Sequence, residues 1–238
     1  MSHKEYNVKK NTKLVLGASA AALIALSLGS APASAEAPKS ERGSVVLTAN
    51  LTELNDSGAS GQAFAVVRGE TIKTMGVRAR GLSPDAPHAQ HIHYGDQAMN
   101  ECPTLDLDSN GDGRLNTVEG VPAYGPVVVS LNTSGDTTPA SFLDVSRFPV
   151  SKDGSYNYLR TNISFTDVAG TGYPGAEGRG TAAQIAEAIR DGEGVVVIHG
   201  NDYDGNGTYN VSDPEGVSEL DPALPAEATD PVACGILN

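Results

Sequence analysis

The sequence predicts an all-β fold: a Greek-key antiparallel β-sandwich or barrel of about eight short strands, with long loops and one short helix. Three observations predict it. Eight segments are rich in β-branched residues, with partial or clear alternation. Clusters of Gly, Pro, Asn and Asp separate them, in a 238-residue chain with 27 Gly and 14 Pro. Only one stretch has a helical period.

In chain order, "SVVLTANLTEL" and "QAFAVVRG" read as the first two strands. "TIKTMGVRARGL" follows, with Ile72, Met75 and Val77 among polar residues. "AQHIHYG", "GPVVVSLN", "SYNYLRTNISF", "GVVVIHGN" and "VACGIL" complete the set. The helix is "TAAQIAEAIRDG", residues 181–192: a Thr opens it, Ile185 and Ile189 form an apolar stripe, and a Gly closes it. Residues 95–125 form a long connection between strands, and such connections usually carry function.

The first 35 residues predict something other than a domain. A basic leader, "MSHKEYNVKKNTK", precedes the apolar run "LVLGASAAALIALSLG" and the small residues "APASA". That is the layout of a cleaved signal peptide, with the cut after Ala35. Residues 36–43 then form a disordered mature N-terminus, and 44–238 the β domain. The protein is expected outside the cell or in its envelope, with no membrane attachment after cleavage. Cleavage removes four Lys and one Glu from totals of 16 basic and 29 acidic residues, leaving 12 and 28 and a formal net charge of −16. So acidic a chain repels nucleic acid and anionic membrane, and suits metal ions as partners. In an oxidising compartment its two cysteines, Cys102 and Cys234, are expected to form a disulfide.

Two groups of residues carry metal chemistry. In "QHIHYG", His91 and His93 are two apart, so a strand puts both imidazoles on one face. His199 ends the hydrophobic strand "GVVVIH", where the chain turns polar. Three imidazoles suit copper, zinc or iron. His88 follows Pro87, lies out of phase with the pair, and reads as loop.

"HIHYGD…ECPT" resembles the copper-binding strand of the copper/zinc superoxide dismutases, where an H-x-H pair precedes G-D and a disulfide cysteine. "VVVIHGNDYD" resembles the strand bearing that family's last copper histidine, and "VACGIL" its terminal strand with the second cysteine. Chordin-type (CHRD) repeats share an "HIH" strand and a similar sandwich. The resemblance spans residues 44–238 in order of elements, with three short patches matching closely. It implies a copper site at His91, His93 and His199. It also exposes departures. No histidine lies between His93 and His199, so the bridging ligand and the zinc site are missing and zinc is not expected. "AEATDPVAC" lacks the arginine that guides superoxide to the metal.

The second group is "DSNGDGRLNTVE", residues 108–119, which fits the twelve-residue EF-hand loop. Asp108, Asn110 and Asp112 take places one, three and five. Gly113 makes the sharp turn, Arg114 offers its carbonyl, Asn116 takes place nine, and Glu119 closes the loop with two oxygens. Hard oxygen donors at this spacing predict Ca²⁺. The flanks are not those of a helix–loop–helix pair: "NECPTLDL" is not amphipathic, and "GVPAYGP" soon stops a helix downstream. Calcium here is expected to order the loop covering the histidines. A second copy, "DYDGNGTYNVSD", offers Asp202, Asp204, Asn206 and the Thr208 carbonyl, and closes on Asp213, whose shorter side chain implies weaker binding.

Three functions follow. The chain is a copper-dependent dismutase-like oxidoreductase, a calcium-stabilised extracellular binding or adhesion module, or a protein that sequesters copper without turnover. It has no nucleophile-and-base motif, phosphate loop or dinucleotide fingerprint.

Overall fold

The computed structural model describes residues 43–169, 179–211 and 216–238. The expected leader lies outside them, as does the segment after it apart from Gly43. All eight expected strands form: β1 (Val45–Glu53), β2 (Ser60–Arg68), β3 (Thr71–Arg80), β4 (Gln90–His93), β5 (Val127–Ser130), β6 (Ser155–Ser164), β9 (Gly194–His199) and β10 (Pro231–Leu237). They make one curled antiparallel sheet in the order β5-β4-β9-β10-β1-β2-β3-β6. A two-residue pair, β7 (Val168–Ala169) with β8 (Arg179–Gly180), stands apart and escaped the sequence pattern for want of length.

The curl puts alternate side chains of both halves inside. Leu47, Ala49 and Leu51 of β1 face inward, as do Ala63, Ala65 and Val67 of β2 and Ile92 of β4. On β3, Ile72 and Met75 are both buried although they stand an odd three positions apart. Val66 pairs with Thr74 and Val67 with Ile72, so Lys73 is an extra residue and the bulge resets the phase. Tyrosines of β6 draw the far edge back over the core. Tyr156 donates to the Gln90 side chain at 2.9 Å and Tyr158 to the Asn132 carbonyl at 3.2 Å.

The two halves meet at β1 and β10. Their ladder holds only Thr52–Cys234 and Glu53–Ala233, although Thr48 and Asn238 exchange two backbone hydrogen bonds, at 2.8 and 3.0 Å. Gly235 sits in this seam. A Cβ there would stand inside contact distance of the Asn50 carbonyl oxygen, so only glycine lets the strands approach. Gly235→Ala is expected to destabilise the protein by about 2 kcal/mol, the cost of overpacking, seen as a lower urea midpoint with an unchanged slope.

Helix α2 (Ala182–Arg190) forms where predicted. Thr181 and Gln184 make a reciprocal capping box, and Ile185 and Ile189 are fully buried. A second helix, α1 (Thr117–Tyr124), corrects the expectation that "GVPAYGP" stops a helix after the calcium-type loop. Pro122 lies inside it. The one bond it forgoes would have gone to the carbonyl of Val118, an exposed residue, so the loss is small. Asn116 and Glu119 cap its start reciprocally, and Gly125 ends it at φ 83°. The Cys102–Cys234 disulfide forms, with the Cα atoms 5.7 Å apart. It fastens the long connection to β10, beside a small cluster of Tyr124, Val195 and Val197.

Candidate metal centre

β4 and β9 are hydrogen-bonded neighbours, with His91 opposite Val197 and His93 opposite Val195. The i, i+2 spacing puts His91 and His93 on one face, their ring centroids 5.6 Å apart. His199 at the end of β9 brings its ring to 5.3 Å from His91 and 6.1 Å from His93. One nitrogen from each ring lies within 4.8 Å of the other two, and all three residues are buried.

The second nitrogen of each ring is fixed. His93 Nδ1 is 2.8 Å from the Gly125 carbonyl, His199 Nδ1 is 2.7 Å from the Thr229 carbonyl, and His91 Nε2 is 3.0 Å from the Phe142 carbonyl. A carbonyl only accepts, so each of these nitrogens carries the proton. The lone pairs therefore sit on His91 Nδ1, His93 Nε2 and His199 Nε2, which are buried and have no hydrogen-bond partner. Burial pushes the rings away from protonation. His93 falls to about 3 and His199 to about 4. His91 lies well below the ordinary value, first through burial and then through the His199 and His93 rings beside it. These are neutral, pre-aimed donors of the kind that bind transition metals.

His88 is a loop residue, as expected, but it is fully buried. Nδ1 lies 3.0 Å from the His199 carbonyl and Nε2 3.1 Å from the Ser83 carbonyl. It braces the backbone of His199 and takes no place in the trio.

The two calcium-type loops share one hydrogen-bond plan. In the first, Asp108 accepts from the Gly113 N–H at 2.8 Å, the Asn110 side chain from Asp112 N–H, and the Asp112 side chain from Arg114 N–H. Glu119 closes it by accepting from the Ser109 N–H at 2.8 Å and the Asn116 N–H at 3.2 Å. In the second, Asp202 accepts from Gly207, Asp204 from Asn206, and the Asn206 side chain from Thr208. Asp213, expected to close this loop, lies outside the described residues. Glu227, fully buried on α3 (Ala226–Thr229), reaches the loop, accepting from Tyr203 N–H at 3.1 Å and Asn210 N–H at 2.9 Å. The place-two and place-nine amides thus meet a glutamate in both loops. Asp202, Asp204 and Glu227 converge within 4.8 Å, as the histidines do. Among the described residues these are the two such groups of three, so the loop with the weaker contiguous match has the closer set of carboxylates. Glu227 was hidden because it lies 14 residues past the end of the apparent motif.

Arg114 joins the loops. Its guanidinium pairs with Asp112 at 3.2 Å and Glu219 at 3.4 Å, and with the buried Asp230, which also accepts from the Tyr203 hydroxyl at 3.1 Å. Burial pushes the Asp230 carboxyl up to about 7 against the opposing pull of Arg114. The Thr117 hydroxyl donates at 2.5 Å to the Thr229 carbonyl that also holds His199.

No family model and no curated protein matches this chain. What stands is the geometry: a disulfide, a trio of neutral imidazoles and a trio of carboxylates in an all-β fold.

Proposed function

We propose that this chain is an exported β domain that holds copper at His91, His93 and His199, with calcium fastening its long loops. One observation carries the proposal: three buried imidazoles each commit one nitrogen to a carbonyl and leave a lone pair unpartnered near the other two. An unpartnered buried polar atom costs about 1–3 kcal/mol, and one shared metal ion would relieve all three. Neutral imidazoles suit copper, and the resemblance to copper/zinc superoxide dismutases supports that metal over zinc. Bound copper would supply one-electron redox chemistry. The chain's own part is to hold three nitrogens in register, fix their tautomers and exclude water.

Storage or sequestration fits better than fast superoxide turnover. Among the described residues lining the cavity over the histidines, none is a cation. A chain of such negative charge slows an approaching anion. The open side of the trio keeps dismutase activity as a second reading.

The test is the metal content of the purified protein after loading with copper, calcium and zinc, followed by desalting. The expected result is about one copper per chain, lost in His199→Ala. Calcium retained without copper would instead favour an extracellular calcium-dependent binding module.

The loop plan supports calcium at both sites, with Glu119 and Glu227 as closing ligands. Chelation is expected to lower the melting temperature by roughly 5–10 °C from a state with calcium a hundredfold above Kd. Glu119→Gln and Glu227→Gln should each shrink that shift. A melting curve indifferent to chelation would remove calcium from the account.

A further inference from the structure

The histidine trio forms the floor of a cavity of about 320 Å³. Its wall is apolar: Phe142, Leu143, Val145, Phe148, Leu220 and Leu224 are the main side chains. Besides the histidines, the polar residues lining it are Thr117 and Thr229. The Thr117 hydroxyl is already committed to the Thr229 carbonyl, and the Thr229 hydroxyl to Ser218 at 2.7 Å. Phe148 stands edge-on to His91, with the ring centroids 6.3 Å apart. Of these six side chains, Val145 (48 % exposed) and Leu220 (36 % exposed) are the most open to solvent.

Ordered water needs two to four polar partners, and this wall offers almost none outside the floor. Small anions find no cation in the wall and meet an acidic protein on approach. An apolar wall around a few convergent polar atoms is the usual form of a small-molecule site, and this volume is at the lower end of that range.

Building on the copper reading, we infer that the open side of the metal takes a small uncharged organic molecule, with an apolar ring-bearing body against Phe142, Leu143 and Phe148 and one nitrogen or oxygen donor toward the trio. The wall selects the body and the metal selects the donor.

Two neutral probes with the same donor separate these contributions. Imidazole offers the ring nitrogen alone, and 4-phenylimidazole adds an apolar ring. The copper-loaded protein would be titrated with each, followed by electron paramagnetic resonance and calorimetry, with copper content measured before and after. The phenyl compound is expected to bind at least about 10-fold tighter than imidazole, the gain from burying one ring. Val145→Asp and Leu220→Asp, both at open positions that tolerate a polar side chain, should cut that advantage while leaving copper content intact. Equal affinity for the two probes on a copper-loaded chain would overturn this inference and leave the metal site standing. A chain with ordinary melting behaviour that retains no copper would overturn the metal site and this inference together.

Discussion

Cys102→Ser is expected to lower the unfolding free energy by about 4 kcal/mol, with the same effect from a reducing agent on the unmodified protein. The bridge spans 132 positions of sequence, so its loss frees a large loop in the unfolded chain. The native state suffers too. Cys102 lies in the connection that leads to the calcium-type loop and α1, and Cys234 lies in the central strand β10. Val121 and Leu54 pack on the cluster around Cys234, so the bridge presses α1 onto the sheet. α1 in turn ends at Gly125, whose carbonyl orients His93. The variant should therefore unfold at lower urea and also hold copper less tightly. An unchanged urea midpoint under reducing conditions would show that packing alone secures the connection.

Acid is expected to destabilise the copper-free protein steeply between pH 6.5 and 4. The sign follows from the imidazoles. Above 6.5 they are neutral whether folded or unfolded and contribute nothing to the pH dependence. Below it the unfolded chain takes up protons that the folded one refuses, because burial holds His93 down to about 3 and His199 to about 4. Each such group costs on the order of 1.4 kcal/mol per pH unit until its folded value is reached. His91 and His88 are lowered too and add to the loss. Asp230 opposes it. Its carboxyl is raised to about 7, so between there and the ordinary 3.8 the folded state binds the extra proton. One carboxyl cannot offset four imidazoles. Urea midpoints measured at half-unit steps should fall from pH 6.5 downward, and His199→Gln should flatten the slope by about one imidazole. A midpoint constant from pH 7 to 4.5 would mean the rings are hydrated and free to protonate.

Much of this molecule is legible in its sequence because its determinants are local. Alternation and β-branching mark all eight long strands, and the Thr181 and Gln184 capping box marks α2. The i, i+2 histidines announce a shared face. What stayed hidden depends on contacts distant in sequence. "GVPAYGP" reads as soon stopping a helix, because the sequence does not show that Val118, whose carbonyl Pro122 leaves without its helical partner, is exposed. Glu227 escapes a motif read as twelve contiguous residues, because that motif cannot show a carboxylate brought to the loop by a later helix. The carbonyls of Gly125, Phe142 and Thr229 decide which imidazole nitrogens are free, yet backbone oxygens leave no trace in residue identity.

Each short helix beside the histidines faces two ways. α1 begins with Glu119 in one loop and ends at the carbonyl that sets His93. α3 carries Glu227 from the other loop and ends with Thr229, which sets His199. If calcium filled the loops and copper the imidazoles, as proposed, this arrangement would make the two ions thermodynamic partners. Whatever factor calcium adds to the affinity for copper, copper must add to the affinity for calcium. The protein would then respond to where it is. In a calcium-poor compartment the imidazoles would be loosely set and copper readily surrendered. In a calcium-rich exterior the same chain would close on its copper and keep it.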